Sequence, residues 1–488
     1  MASVIVVGAG VGGLAVAARL AAAGHRVTVF EQAPVVGGKL GRYERRTAGG
    51  TFRFDTGPSL FTLPQVAAEL FAATGGPSPL DLVPLDPIVR HRFPDGSVLD
   101  STQGDGFAER IAEAFGGEAA ADWRRLWRRA GRVWAASWQH VLTSPVDSPL
   151  RMAGLAWRLR DLAAIAPGRT LEGLGRRHLR DPRLRMLLAR YATYTGADPR
   201  RAPAALLAIP YAELEFGGWY LRGGLGTLAT ALLDRCVATG VRVRTGTAVG
   251  GITVTGSRAS GVMLEDGTEV AADVVVANAD ALHVYRDLLP TPGRARRLEA
   301  RSLGGFVLLL GVRGRTPGLA HHTVLFPRDY DAEFDAIFGA PARPIDDPAV
   351  FVTSPDDPAA RPEGHEAWFV LVNAAPDGTG PAEVDWTAAR DGYADRVLGT
   401  LAARGLDVRD RLLFRDVLTP ADLAAATRSP GGAIYGTASH GLTGLLRPPN
   451  RGPVRNLFLV GGSVHPGGGL PLVMLSAKIV ADLLGPAS

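Results

Sequence analysis

Val4-Ile5-Val6-Val7-Gly8-Ala9-Gly10-Val11-Gly12-Gly13 opens the chain with an apolar run that passes directly into the pattern G-x-G-x-x-G. Val4–Val7 predicts a short buried strand, Gly12–Ala23 an alanine-rich helix and Arg26–Phe30 a second strand, which together make a βαβ unit. In a chain with 61 glycines the pattern alone says little. Its place between a strand and a helix gives it weight. Gly8 makes the tight turn, Gly10 lets the backbone approach a pyrophosphate, and Gly13 lets helix and strand pack closely. The start of the helix offers free N–H groups and a positive dipole end to phosphates. Glu31 closes the second strand 23 residues after Gly8, where a carboxylate accepts ribose hydroxyls and repels a 2′-phosphate. A dinucleotide other than NADP is expected.

Gly37-Gly38-Lys39 follows six residues beyond Glu31 and predicts more backbone held near the cofactor. Lys39 either places a charge beside the cofactor or is solvated. The far end carries Leu457-Phe458-Leu459-Val460-Gly461-Gly462-Ser463-Val464-His465-Pro466-Gly467-Gly468-Gly469-Leu470-Pro471, a strand running into a glycine loop. Leu470–Leu484 then reads as a helix with Pro471 in its first turn. A helix N-terminus suits the pyrimidine end of an isoalloxazine, which carries negative charge when reduced. An NAD domain has no need of so distant a closing element, so FAD is the expected cofactor, with Gly461, Gly462, Gly469 and Leu470 beside it.

The chain has 488 residues, 46% of them hydrophobic, which suggests two or three domains. The expected fold class is α/β. It comprises a Rossmann-type FAD-binding domain assembled from residues 1–75, 222–290 and 440–488, a sheet-containing substrate domain from 76–120 and 291–439, and a helical region over 121–221. Helices are also predicted at Gly224–Gly240 and Trp386–Arg404. Further strands are predicted at Phe306–Val312, Thr323–Phe326, Val350–Thr353 and Trp368–Val372. No run is long and apolar enough to predict a membrane-spanning helix, and no secretory leader is expected. Cys236 is the one cysteine, which rules out disulfides within the chain and fits the cytoplasm.

Charge is concentrated in one segment. Residues 121–190 hold 15 arginines against 5 acidic residues, although the whole chain is only +5. Five of the eight tryptophans fall between Trp123 and Trp157. At about 100° per residue, Trp123, Trp127, Trp134 and Trp138 share one helix face, and Arg124, Arg125, Arg128, Arg129 and Arg132 lie opposite. Such a helix suits a membrane surface, with indole at the interface and arginine on anionic headgroups. Tryptophans packed on the protein's own core are the competing reading. Leu150–Leu162 adds a second Arg/Trp segment. No nucleic-acid module accompanies the charge.

These motifs resemble a known family. Gly8–Gly13 with Glu31, Gly37-Gly38-Lys39, Phe54-Asp55-Thr56-Gly57-Pro58-Ser59, Tyr211–Gly226 and Val460–Lys478 together look like the bacterial-type phytoene (carotenoid) desaturases, within the amine-oxidase-like flavoproteins. The resemblance spans nearly the whole chain. In that family the glycine pair is usually followed by Arg; here Lys39 stands there. The resemblance implies noncovalent FAD, with Gly38 and Gly57 near it, a long isoprenoid substrate such as phytoene, and peripheral membrane attachment. Quinone and oxygen both remain open as electron acceptor. A hydroxycarotenoid 3,4-desaturase, or a saturase working in reverse, is the nearest alternative. An amine oxidase fits less well, because Gly467-Gly468-Gly469-Leu470-Pro471 offers no Tyr or Trp for an amine cage.

Dehydrogenation needs a hydride acceptor, which flavin supplies, and a proton acceptor. Glu213 and Glu215, alternating along a possible strand Tyr211–Phe216, would share one face, and Glu215 is the expected base unless both only form salt bridges. Asp55 either touches flavin or substrate or closes an Asx turn. His465 is expected to hold its loop rather than move protons, and His440 is a possible polar partner. His321 and His322 are neighbours on a strand and make a poor metal pair. No metal site and no hydrolase triad are expected.

Overall fold

The computed structural model describes residues 1–146, 163–441 and 444–487. The second Arg/Trp segment, 150–162, lies outside them. The opening strand is Ser3–Val7, the first helix Val11–Ala22 and the second strand Arg26–Phe30. They build a five-stranded parallel sheet in the order Leu457–Leu459, Val274–Ala277, Ser3–Val7, Arg26–Phe30, Arg242–Arg244. Its central strands are continuous aliphatic runs, because a parallel sheet is covered on both faces. The first helix is buried along nearly its whole length between the helices Gly226–Ala238 and Leu470–Leu484. Residues from the two ends of the chain and from its middle therefore share one core.

A seven-stranded mixed sheet forms the second layer. Its order is Leu412–Leu418, Gly304–Arg313, His365–Ala374, Val350–Thr353, His322–Leu325, Val89–Arg92, Val98–Ser101. The two ten-residue strands pair antiparallel over their full length, with Phe306 opposite Val372. The helix Trp386–Ala403 covers one face, where Phe306 meets Tyr393 edge-on at 4.9 Å. The hairpin Arg42–Thr47/Gly50–Asp55 reaches the other face and sets Phe52 against Phe414 at 5.1 Å.

The third part is helical: Gly106–Phe115, Gly117–Ser137, Leu171–His178, Pro182–Arg190 and Ala208–Phe216. Side-chain caps start two of these helices. Thr170 accepts the Gly173 N–H, and Asp181 accepts the Arg183 N–H with Pro182 in the first turn. Buried Asp122 gathers Arg125 and both the backbone and side chain of Arg180.

Two expectations are corrected. Tyr211–Phe216 is helical, not a strand. Residues two apart on a helix stand about 200° apart, so Glu213 and Glu215 point opposite ways. The tryptophan face of Gly117–Ser137 is turned toward the protein. Trp123 is buried against Phe107, Trp127 lies 4.8 Å from Tyr211, and Trp134 lies 5.4 Å from Phe216. Gly131 makes this approach possible, since a Cβ there would stand 3.2 Å from the Tyr211 ring. Arg124, Arg125, Arg128 and Arg132 remain exposed.

A flavin cradle and a buried polar cluster

Crowding defines the cradle. A Cβ on Gly13 would lie 2.0 Å from the Gly8 carbonyl oxygen, and one on Gly10 would lie 2.9 Å from the Asn278 amide nitrogen. Gly8 turns with φ +94°, which only glycine adopts freely. Gly38 crosses directly over Gly10, with a Cβ position 3.2 Å from the Gly10 Cα. Gly461 approaches the Asn278 side chain from the other side, Gly462 packs on Gly468, and Gly57 lies against the Lys39 carbonyl. The first helix starts after Gly10 and the last after Gly469, at Leu470. Neither start has a side-chain cap or an acidic residue in its first turn. The two starts are adjacent, since a Cβ on Gly12 would meet Val473 at 3.0 Å. Two helix starts with free amides and positive dipole ends thus stand side by side among glycines and the Asn278 side chain, which fits a dinucleotide with its anionic pyrophosphate and flavin.

Glu31 is buried. Its two oxygens accept the Ala9 N–H at 2.7 Å and the Ala33 N–H at 2.9 Å. Each oxygen keeps a second lone pair for a ribose hydroxyl. Lys39 reaches inward and donates to Ser429 Oγ and to the carbonyls of Ala433 and Ile434. Burial lowers its pKa to about 8 against the opposing pull of Asp280. Asp280 pairs with buried Arg301 at 2.8 Å.

Asp55 and Glu215, the carboxylates named as chemical candidates, have these surroundings. Asp55 spends one oxygen on the Leu225 N–H at 2.6 Å and the other on the Gly226 N–H at 2.9 Å, so it caps the helix Gly226–Ala238. Glu215 is half-buried on the side of its helix near Tyr211. His465 Nε2 binds the carbonyls of Val141 (3.1 Å) and Ser144 (2.9 Å), which ties the last loop to the end of the tryptophan helix. His440 Nε2 accepts the Asp198 N–H, and His322 holds the carbonyls of Ile88 and Ser59.

Two features lie outside the sequence expectation. Asn278 joins Gly8, Gly10, Gly12 and Gly461 and donates to the Gly8 carbonyl at 3.3 Å. Its signal was its place directly after the strand Val274–Ala277. The second is a buried polar cluster between the helical part and the seven-stranded sheet. Glu213 accepts from Tyr191 at 2.8 Å, and burial raises its pKa. Arg190 lies beside it, with its guanidinium 5.7 Å from the Tyr194 ring and 5.2 Å from that of Phe351.

The fold and the cradle define a flavoprotein oxidoreductase, and comparison with known proteins agrees. Residues 11–484 match the family model described as flavin containing amine oxidoreductase. The chain is 33% identical to the 4,4'-diapolycopene oxygenase of Methylomonas sp, over 98% of this chain and 97% of that one. It is 35% identical to the hydroxyneurosporene desaturase of Rhodobacter capsulatus, over 99% and 97%. Among solved structures, an oxidoreductase from Methanosarcina mazei superposes with a TM-score of 0.63 at 16% identity, covering 98% of this chain and 100% of that one, a likeness of fold. The chain belongs to the flavin-containing amine oxidoreductases, in the branch of the FAD-dependent carotenoid desaturases. FAD is its cofactor.

Proposed function

We propose that this enzyme dehydrogenates a long polyene or polyisoprene chain of the carotenoid class. The observation that carries this reading is a two-ended flavin cradle in a chain 35% identical, nearly end to end, to a hydroxyneurosporene desaturase. FAD, when bound, would supply the hydride acceptor; one carbon of the substrate would lose a hydride to it and the neighbouring carbon a proton to solvent water as the C=C bond forms. The backbone around Gly10, Gly38 and Gly461 holds the cofactor, and Glu31 orients its ribose. Asp55 fixes the helix Gly226–Ala238 behind the cradle. Quinone or oxygen takes the electrons onward. Among the described residues no helix is long and apolar enough to cross a membrane. Contact with an anionic membrane surface is assigned to the exposed arginine edge of Gly117–Ser137, and its indoles serve the interior.

The test is product mass. Purified holoenzyme given an acyclic polyene and an electron acceptor is expected to return a product lighter by two hydrogens per turnover. A product of unchanged mass overturns the reading. A product heavier by oxygen favours a second reading, supported by the likeness to the diapolycopene oxygenase, in which the same site oxygenates its substrate.

A further inference from the structure

Lys39, Asp280, Arg301 and Arg447 form a hydrogen-bonded charge cluster beside the cradle. Lys39 donates to Ser429 Oγ at 3.1 Å and to the carbonyls of Ala433 and Ile434, both at 2.8 Å. Ser429 Oγ stands 3.2 Å from Asp280 Oδ2, the oxygen that pairs with Arg301 at 2.8 Å. Arg301 Nε also donates to the Pro430 carbonyl at 3.3 Å. Arg447 donates to the carbonyls of Tyr435 (2.5 Å) and Thr437 (2.8 Å) and to Ser439 Oγ (3.1 Å). Residues 429–439 are thus a strap pinned by cations. Among the described residues, the bonds of Lys39 and Arg447 all end on hydroxyls and backbone carbonyls, and Arg301 alone of the three meets a carboxylate. Arg301 and Asp280 are buried, and Lys39 and Arg447 are half-buried. Burial lowers the pKa of Lys39 to about 8 and that of Arg447 to about 10, so both keep their charge at neutral pH. Three cations against one carboxylate leave a surplus of positive charge, which is costly in a protein interior unless an anion balances it.

The strap sets this charge at the end of the cradle where the last helix starts. Ser463, directly after Gly461-Gly462, accepts the Ala281 N–H next to Asp280 at 2.9 Å, and a Cβ on Gly436 would stand 2.7 Å from the Ser463 Cβ. The Tyr435 ring lies against Gly468, where a Cβ would meet it at 2.5 Å. Ser463 and Gly468 belong to the loop that runs into Gly469 and the helix Leu470–Leu484. Cluster and helix start therefore present positive potential to one place. On the pyrophosphate side, Gly38 covers Gly10 with backbone, whereas the Lys39 side chain directs all three of its bonds to the strap. An isoalloxazine that has accepted a hydride carries one more negative charge than before. We infer that the Lys39–Asp280–Arg301–Arg447 cluster favours that reduced, anionic form and so raises the reduction potential of the bound FAD. A higher potential makes the flavin a stronger hydride acceptor. This goes beyond the desaturase reading and rests on FAD binding alone.

The test is the midpoint potential of the holoenzyme's FAD, measured anaerobically at neutral pH against reference dyes. Lys39→Met and Arg447→Met each remove one positive charge. Each is expected to shift the balance at least about tenfold toward oxidised flavin, a fall of about 30 mV for two electrons. The two variants lie on separate elements, so loss of FAD from one leaves the other to be read. Lys39→Arg keeps the charge and is expected to hold the wild-type potential. Asp280→Asn, added to Lys39→Arg so that the cation cannot shed its proton, is expected to raise the potential. Loosened packing would not change sign with the charge removed. Unchanged potentials overturn the inference, and so do shifts in one direction whichever charge is lost. Weaker FAD binding at an unchanged potential assigns the cations to the pyrophosphate and overturns it too. Potentials that move as expected, in an enzyme that returns no lighter polyene, uphold the inference and overturn the desaturase reading alone.

Discussion

The flavin cradle and the Arg190–Glu213 cluster are built on opposite plans. The cradle is backbone: its walls are glycines, its ligand groups are amides at two helix starts, and Asn278 and Glu31 are the side chains that knit it together. The cluster is side chain: Arg190 and Glu213 come from two helices, His91 from a strand, and Tyr330 from the residue before a helix. At Gly8, Gly13, Gly38 and Gly57 a backbone site tolerates almost no substitution, because an added Cβ meets main chain that cannot move. A side-chain cluster tolerates replacement of its members more readily, because no main chain blocks the change. The first plan suits a cofactor shared by a whole family.

The largest effect follows from the tightest contact. Gly13→Ala puts a Cβ 2.0 Å from the Gly8 carbonyl, which is main chain. Loss of FAD and a destabilisation of roughly 4 kcal/mol or more are expected, at the extreme for single substitutions. Gly10→Ala meets an amide side chain at 2.9 Å, which can rotate away. That variant is expected to fold and to hold FAD roughly tenfold less tightly, or about 1.4 kcal/mol. Thermal melts and the flavin-to-protein absorbance ratio check both. A folded, yellow Gly13→Ala protein would break the contrast between the two plans. Glu31→Ala comes next. It strips the Ala9 and Ala33 amides of their acceptor, at about 1–3 kcal/mol for a buried group, so melting temperature and FAD affinity are expected to fall together. A loss of FAD affinity with an unchanged melt would confine Glu31 to the ribose.

The tryptophan helix sharpens the comparison from outside. Trp127→Glu is expected to cost about 2 kcal/mol through lost packing on Tyr211, with vesicle flotation of the folded protein unchanged. Reversing Arg124, Arg128 and Arg132 to Glu is expected to leave the melt unchanged and to lower flotation on anionic vesicles, most clearly at low salt. If Trp127→Glu abolishes flotation at an unchanged melt, the indole face meets lipid after all. A smaller effect concerns Lys39. Its pKa is about 8 in the folded protein and 10.5 ordinarily, so unfolding takes up a proton between these values. Stability from this residue therefore rises with pH across that window. The urea midpoint of Lys39→Met, compared with wild type, is expected to lack that rise, and parallel profiles would show that the ammonium is not desolvated.

The cradle was legible in the sequence because each of its constraints leaves a local trace. A strand, three spaced glycines and an acid at the end of the next strand form one reading unit, and the last helix begins at Leu470, where Gly469 and Pro471 place it. Cooperative sheet strands such as Val350–Thr353 were equally plain from their β-branched runs. The cluster left no such trace. His91, Arg190, Glu213 and Tyr330 are far apart in the chain, and each alone reads as an ordinary helix or strand residue. The one local pattern near it misled: Tyr211-Ala212-Glu213-Leu214-Glu215-Phe216 alternates as a strand would, but it continues a helix whose core face is set by Leu214 and Pro210. Tertiary packing overrode the period-2 signal. The tryptophan stripe failed for a related reason: periodicity shows that a face is apolar but not what covers it, and Tyr211 and Phe216 cover it here.

The smallest expected effect is therefore the most discriminating. Glu213 and Glu215 are two residues apart and chemically identical, and the helix sends one into the Arg190 cluster and the other toward Tyr211. Glu215 is half-buried, and its charge, after burial itself, raises the pKa of the Tyr211 hydroxyl. Tyr211 in turn lies among Trp127 and Trp134, on the side of the helix away from Tyr191. A carboxylate so placed points away from Glu213 on the same helix. Glu215→Gln is accordingly expected to leave the anaerobic rate of flavin reduction within about twofold of wild type. Positioned general bases contribute on the order of a hundredfold or more, so the two outcomes are well separated. A loss of that size would return Glu215 to the proton-transfer role its sequence position suggested, and would require the helix Ala208–Phe216 to turn its other face to the substrate.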